Sequence, residues 1–332
     1  MNYPLFKVFV SCMTFNHSKY IVDAMNSFVM QRTNFPFVCC IVDDCSTDGE
    51  QDVIRDYLNK NFELGDCSVA YNKHTEYAEI TFAQHKLNHN CYFAVVLLKE
   101  NHYSQKKDKT EYLTEWYNNV KYVAICEGDD YWIDETKLQI QSDLLDNNLS
   151  VDMCSHGTIC QKNGKEVMKM APSLSDRILT AEETIKGGGG FLGTNSLMYR
   201  VDLFKNKMRF RKFLSYDYTL QISGSLRGGI YYLAKDMSVY RMAVENSWCQ
   251  RMTKNPDASL NHQYRMMTML QLLDDDTNGR LHNVIYDTIN GLSSNILMAG
   301  FQSERFMKQY HQIKIKYKLY IVYKAFMALF GL

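Results

Sequence analysis

The chain predicts an α/β fold: a mostly parallel sheet flanked by helices, with a helical C-terminal extension. Continuous apolar runs at 7–13, 37–42, 92–98 and 122–126 read as strands buried on both faces. After the first two runs, apolar residues recur at helical spacing. This strand–helix alternation implies parallel pairing through right-handed crossovers. Three of the apolar runs also end in polar clusters, and ligands of such sheets bind beyond the carboxyl ends of the strands.

The first strand, 7–13, breaks at Thr14-Phe15-Asn16-His17. Ser18 is placed to cap a helix whose inner face is Ile21, Val22, Met25, Phe28 and Val29. The second strand, 37–42, runs into Asp43-Asp44-Cys45-Ser46-Thr47-Asp48-Gly49. Thr47 with Glu50 fits a capping box, and Val53, Ile54, Tyr57 and Leu58 face the sheet from the next helix. The run 92–98 is read as the third strand, and the polar stretch 99–109 as a loop placed to cover the site. A helix over 111–118 leads to the strand 122–126. The next helix spans 136–147, with Asp134 as a candidate cap.

Beyond 151 the pattern weakens. Residues 166–175 read as loop, Thr180 with Glu183 as a second capping box, and 187–190 as four consecutive glycines. Strands are expected at 194–199 and 230–233, with an amphipathic helix opening at Tyr216-Asp217-Tyr218. Helices follow from 255. The lysines, tyrosines and aliphatics of 313–330 suit a helix lying on an anionic membrane surface, or equally a terminal helix docked on the protein itself.

Composition narrows the function. The 332 residues carry 37 basic and 37 acidic side chains, so no net field points to nucleic acid. Ten cysteines include no C-x-x-C pair and mostly sit in apolar runs, which suits buried thiols in a cytosolic protein. Met1-Asn2-Tyr3-Pro4 shows no signal-peptide pattern, and no window reaches 18 apolar residues. No G-x-G-x-x-G follows the first strand, which argues against a dehydrogenase-type dinucleotide fold.

The acids carry the chemistry. Glu127, Asp129 and Asp130 fall within four positions at the end of a buried strand. Crowded carboxylates are unfavourable unless water or a cation neutralises them. Mg²⁺ and Mn²⁺ prefer such oxygen ligands and take substrate phosphates as the rest of their shell. The acids alone fit an acidic turn before a helix equally well. Asp43 and Asp44 share the predicted sheet edge with them. Asp217, among aromatic rings, suits a general base and equally a helix cap.

Together these stretches resemble glycosyltransferase family 2, the inverting, metal-dependent enzymes of the GT-A fold, and in particular bacterial members that build surface polysaccharide. The resemblance rests on 10–21, 42–49, 127–132, 216–218 and 239–241, and covers roughly residues 5 to 250. It implies a GT-A domain over 1–250, with a nucleotide-sugar half at 1–150 and an acceptor half at 151–250, followed by a helical extension at 251–332. It gives Thr14, Phe15, Asn16, Asp43 and Asp44 to the nucleotide, with Asp44 on the base. Asp130 would be the ligand of Mn²⁺ or Mg²⁺, and Asp129 would hold the ribose or assist the metal. Glu127, Trp132, Thr194 and Tyr216 would line the donor-sugar or acceptor site, and Asp217 would be the base. The family's basic nucleotide contact has no clear counterpart among Asn101, Tyr103, Ser104 and Lys106.

The implied activity is hexosyl transfer from a nucleotide-diphospho-sugar, UDP by family habit, to a glycan or lipid-linked hydroxyl. The implied setting is cytoplasmic, at the inner face of the membrane. Two rivals stand beside it: a nucleotidyltransferase acting on a sugar phosphate, and a non-catalytic nucleotide- or sugar-binding module.

Overall fold

The computed structural model describes residues 4–65, 69–205, 207–214, 216–244 and 248–300. The proposed surface helix at 313–330 and the extreme N-terminus, 1–3, lie outside the described residues.

The strands are β1 (Val8–Thr14), β2 (Phe37–Asp43), β3 (Phe62–Glu63), β4 (Tyr71–His74), β5 (Ala78–His85), β6 (Cys91–Leu98), β7 (Tyr122–Ile125), β8 (Tyr131–Trp132), β9 (Met153–Lys162), β10 (Lys165–Met170), β11 (Arg177–Leu179), β12 (Met198–Arg200) and β13 (Ile230–Arg241). The helices are α1 (Ile21–Val29), α2 (Glu50–Asn61), α3 (His102–Gln105), α4 (Thr110–Tyr117), α5 (Lys137–Asn147), α6 (Ala181–Gly187), α7 (Arg209–Phe213), α8 (Asp217–Ser225), α9 (Trp248–Lys254), α10 (Pro256–Asp276) and α11 (His282–Gly300).

The chain forms two compact units. The first, residues 1–178, 191–203 and 227–242, holds the sheet in the order β13-β9-β12-β7-β1-β2-β6-β5-β3. Its centre, β7-β1-β2-β6, is parallel throughout, as the apolar runs require. β12 and β5 border that centre with antiparallel pairing. Phe28, Phe93 and Trp132 lie in its main core, where Phe28 meets Trp132 at 5.0 Å between ring centroids. The second unit joins 179–190 and 204–226 to the C-terminal helices. α6 and α8 bury Ile185, Tyr218 and Ile222 in the same core as Met267 and Leu270 of α10.

Several local expectations are met differently. The expected third strand is the sixth, because β3, β4 and β5 precede it. β9 escapes the apolar reading because its buried Ser155 and Thr158 are polar. They are satisfied in pairs, Ser155 with Ser196 at 2.6 Å and Thr158 with Ser238 at 3.0 Å. Residues 165–170 pair with β9 as β10 instead of forming loop. Residues 194–196 are a 3₁₀ turn before the short β12. The Thr180–Glu183 capping box forms as expected. Neither Ser18 nor Thr47 caps a helix. α1 follows Tyr20, and α2 follows the left-handed Gly49 (φ 87°), which turns Glu50 into the interior.

Candidate functional site

β1 lies between β2 and β7, and both acidic turns hang from its carboxyl end. Thr14 is in register with Asp43, and Ser11 with Ile125. Asp44 N–H donates to Thr14 O at 3.0 Å, and Gly128 N–H donates to Met13 O at 3.1 Å. A Cβ on Gly128 would stand 2.1 Å from Thr14 Oγ1, so only glycine lets the second turn come this close. The expectation that Asp43–Asp44 and Asp129–Asp130 share one sheet edge is what the register gives.

The first turn is organised around Glu50. This fully buried carboxylate accepts from the Thr14 hydroxyl, from His17 N at 2.8 Å and from Ser46 Oγ at 2.9 Å. Burial pushes its pKa up, and the three donors oppose that rise. Ser46 Oγ also accepts from Asn16 N at 2.8 Å, and Asn16 Oδ1 accepts from Thr47 N at 2.8 Å. Asn16, in the left-handed region at φ 59°, is thereby a brace between two loops. Phe15 beside it is 41% exposed.

Asp43 is buried. Its Oδ1 accepts from Ser46 N at 3.0 Å and Gln51 Nε2 at 2.6 Å, while Oδ2 has no hydrogen-bond partner. Asp44 is committed on both oxygens. It accepts from His102 N at 2.9 Å and Tyr103 N at 3.0 Å, and pairs with Lys109 Nζ at 2.9 Å. The 99–109 stretch is therefore held against Asp44, partly as the short α3, where Asn101 serves as cap. Three of the chain's own donors thus already meet the acid to which the resemblance gives the base-binding role.

The second turn repeats this division. Asp130 is 1% exposed and accepts from Arg241 N at 2.8 Å and Asn195 Nδ2 at 3.1 Å. Burial, with Asp129 alongside, pushes its pKa well up. In this arrangement both oxygens of the interior carboxylate Asp130 are met by the chain's own donors. Asp129 is half-buried, and its Oδ2 lies 3.7 Å from His17 Nε2. Arg241 holds the turn from outside: it donates to Asp129 O at 2.8 Å, pairs with Asp23, and lies over the rings of Tyr20 and Tyr131.

Trp132, which the resemblance puts on the sugar side, packs inside the sheet unit. It is buried, donates its ring N–H to Asn195 O at 2.9 Å, and carries Lys137 Nζ 4.1 Å above its ring. It is part of the core cluster of the first unit. Glu127 is exposed, and Thr194 is half-buried at the start of the 3₁₀ turn. Tyr216 and Asp217 belong to the second unit. Asp217 is exposed in the first turn of α8, and the Tyr216 ring meets His262 edge-on at 5.1 Å.

Sequence reasoning gave no role to His17, Glu50, Asn195 or Arg241. His17 and Arg241 stood inside the quoted motifs. Glu50 was hidden behind the capping-box pattern, and Asn195 carried no signal. Among the described residues no three His, Cys, Asp or Glu side chains gather into a metal cage. A cation held together with a diphosphate needs only one or two protein carboxylates, which Asp129 can supply.

Residues 10–77 match the model of the family described as Glycosyl transferase family 2. Uncharacterized proteins of Mycobacterium tuberculosis and Mycobacterium bovis are 27% identical over 241 residues, 71% of this chain and 58% of their own length. The chain thus spans less than two thirds of those relatives. Among solved structures, S. aureus TarS 1-349 in complex with UDP is similar at 17% identity and a TM-score of 0.51, covering 94% of this chain and 76% of that one. The same protein in complex with UDP-GlcNAc gives 0.52 at 17% identity, covering 96% and 88%. This likeness shows the fold.

Proposed function

We propose that this chain, with its GT-A fold, acts as a family 2 glycosyltransferase, performing inverting, metal-dependent transfer of a sugar from a nucleotide-diphospho-sugar to a hydroxyl. UDP is the proposed nucleotide, and a glycan or lipid-linked saccharide of a surface polysaccharide is the proposed acceptor. The observation that carries this reading is the convergence of two acidic turns on β1. Each leaves one carboxylate less committed than its neighbour.

The roles follow from that division. Phe15, exposed beside the first turn, offers its ring to the base. Asp43 Oδ2 is an acceptor awaiting a donor. Asp129, not Asp130, faces the diphosphate. When bound, Mn²⁺ or Mg²⁺ neutralises the charge that grows on the departing diphosphate. Asp44, Asp130 and Arg241 hold the two turns in shape. Glu127 and Thr194 are proposed on the donor-sugar side and Tyr216 on the acceptor side. Asp217 takes the proton of the attacking hydroxyl. In the same proposal 1–150 is the nucleotide-sugar half and 151–250 the acceptor half. Among the described residues no helix is long and apolar enough to cross a membrane. Work at the cytoplasmic face, through 313–330, is part of the proposal.

The test is release of nucleoside diphosphate from a panel of nucleotide sugars with Mn²⁺, with and without chelator. Chelator-sensitive release from at least one donor is expected. Asp217→Asn should keep nucleotide affinity and lose about 10²–10⁴ in turnover. No release and no nucleotide binding across the panel would overturn the reading, and full turnover in the variant would remove Asp217 from it.

A further inference from the structure

We infer that the basic and aromatic side chains between Phe204 and Tyr216, in the second unit, form a docking surface for an anionic lipid bilayer. The surface lies apart in sequence from both acidic turns, and binding through it needs no donor sugar or metal.

The sequence here is one-sided. Between Asp202 and Asp217 stand five cations, Lys205, Lys207, Arg209, Arg211 and Lys212, and no acid. In a chain of zero formal net charge this is a local field of one sign. The fold turns it outward. Phe210 and Leu214 enter the core of the second unit, while Arg209, Lys212 and Phe213, at helical spacing, are exposed. Arg209 is answered by Asp276 at 2.7 Å and Asp275 at 3.8 Å. Lys207 and Lys212 are exposed, and among the described residues no acid pairs with either.

The same surface keeps apolar rings in water. Phe204 is 43% exposed, Phe213 36% and Tyr216 37%. Two guanidinium groups hold the phenyl rings there. Arg211 lies over Phe204 at 5.5 Å and donates from Nε to Ser223 Oγ at 2.9 Å. Arg265 of α10 lies over Phe213 at 5.9 Å and donates to Phe213 O at 3.3 Å. Charge complementarity calls for an anionic partner, and the rings select a bilayer among such partners. A base or sugar stacking on either phenyl ring would compete with the guanidinium already over it. Acyl chains ask only for apolar surface, while lysines reach the headgroup phosphates. On the reading above, Asp217 follows this surface directly in the chain, so a lipid-borne hydroxyl would be brought close to the proposed base. That consequence alone depends on the proposed function.

The experiment is vesicle co-sedimentation of the whole chain, with phosphatidylglycerol–phosphatidylcholine vesicles against phosphatidylcholine alone. Wild type should bind the first, weaken as salt rises, and leave the second in solution. Joint Lys207→Gln and Lys212→Gln should weaken binding by about 30-fold. Joint Phe204→Ser and Phe213→Ser should weaken it by at least about ten-fold, with melting of both variants checked against wild type. No wild-type binding to anionic vesicles overturns the inference. So does equal binding to both vesicle types, or unchanged binding in the lysine variant, which would place the contact elsewhere in the chain. Loss in the lysine variant with none in the ring variant would make this a polyanion surface and overturn the bilayer as its partner. Each of these failures leaves the transfer reading standing, because nucleoside diphosphate release is measured without vesicles.

Discussion

The two acid pairs, Asp43–Asp44 and Asp129–Asp130, are built on one plan and finished differently. Both follow a parallel neighbour of β1, and in both the second acid is fastened while the first is less committed. Asp44 is fastened by one loop, through two backbone N–H groups and a lysine. Asp130 is fastened by a backbone N–H and an amide from distant chain segments, beside a like charge. The first arrangement fixes a loop, and the second fixes the turn that presents Asp129. A carboxylate's place in a motif thus does not assign its work, because the donors around it do.

The sharpest way to break this comparison is to neutralise each member of the second pair. Asp129→Asn should slow donor-sugar turnover by about 10²–10³ while melting near the wild-type temperature. Asp130→Asn should instead lower stability by about 1–3 kcal/mol in urea unfolding, since one buried acceptor becomes a donor facing donors. A variant at 130 that melts normally yet loses metal-dependent nucleotide binding would reverse the assignment.

The first pair predicts a smaller, local effect. Asp44→Asn weakens the hold on His102, Tyr103 and Lys109 together. Amide exchange should quicken across 101–109 and leave β1 protected, with a loss of order 1–2 kcal/mol. Uniform exchange across the unit would show that Asp44 does more than secure the loop.

A further effect is read through pH. Lys137 is fully buried against Trp132, with Gln141 Oε1 at 2.7 Å, and burial lowers its pKa to about 7. Between pH 7 and about 10 the unfolded chain holds a proton that the folded chain has released. Unfolding then takes up that proton, so this contribution to stability rises with pH, by at most about 1.4 kcal/mol per unit. Below pH 7 both forms are protonated and the contribution is flat. Lys137→Met should remove the rise, measured as the difference from wild type in urea unfolding between pH 7 and 9. Parallel curves would mean that the ammonium finds water in the folded state.

What the sequence determined by itself is the central frame. Apolar runs too continuous for a half-exposed sheet demanded parallel strands covered on both faces, and that topology brought 43–44 and 129–130 to one edge. The Thr180 box was equally legible, because its bonds lie within four residues. Tertiary structure alone decided which oxygen of which acid remains uncommitted. Asp130 is closed by Asn195 and Arg241, 65 and 111 positions away, and Glu50 turns inward to meet Thr14, 36 positions before it. Local pattern reports backbone periodicity and turn chemistry. Hydrogen-bond saturation depends on donors that only the folded chain brings together, so the roles within each acid pair had to await the fold.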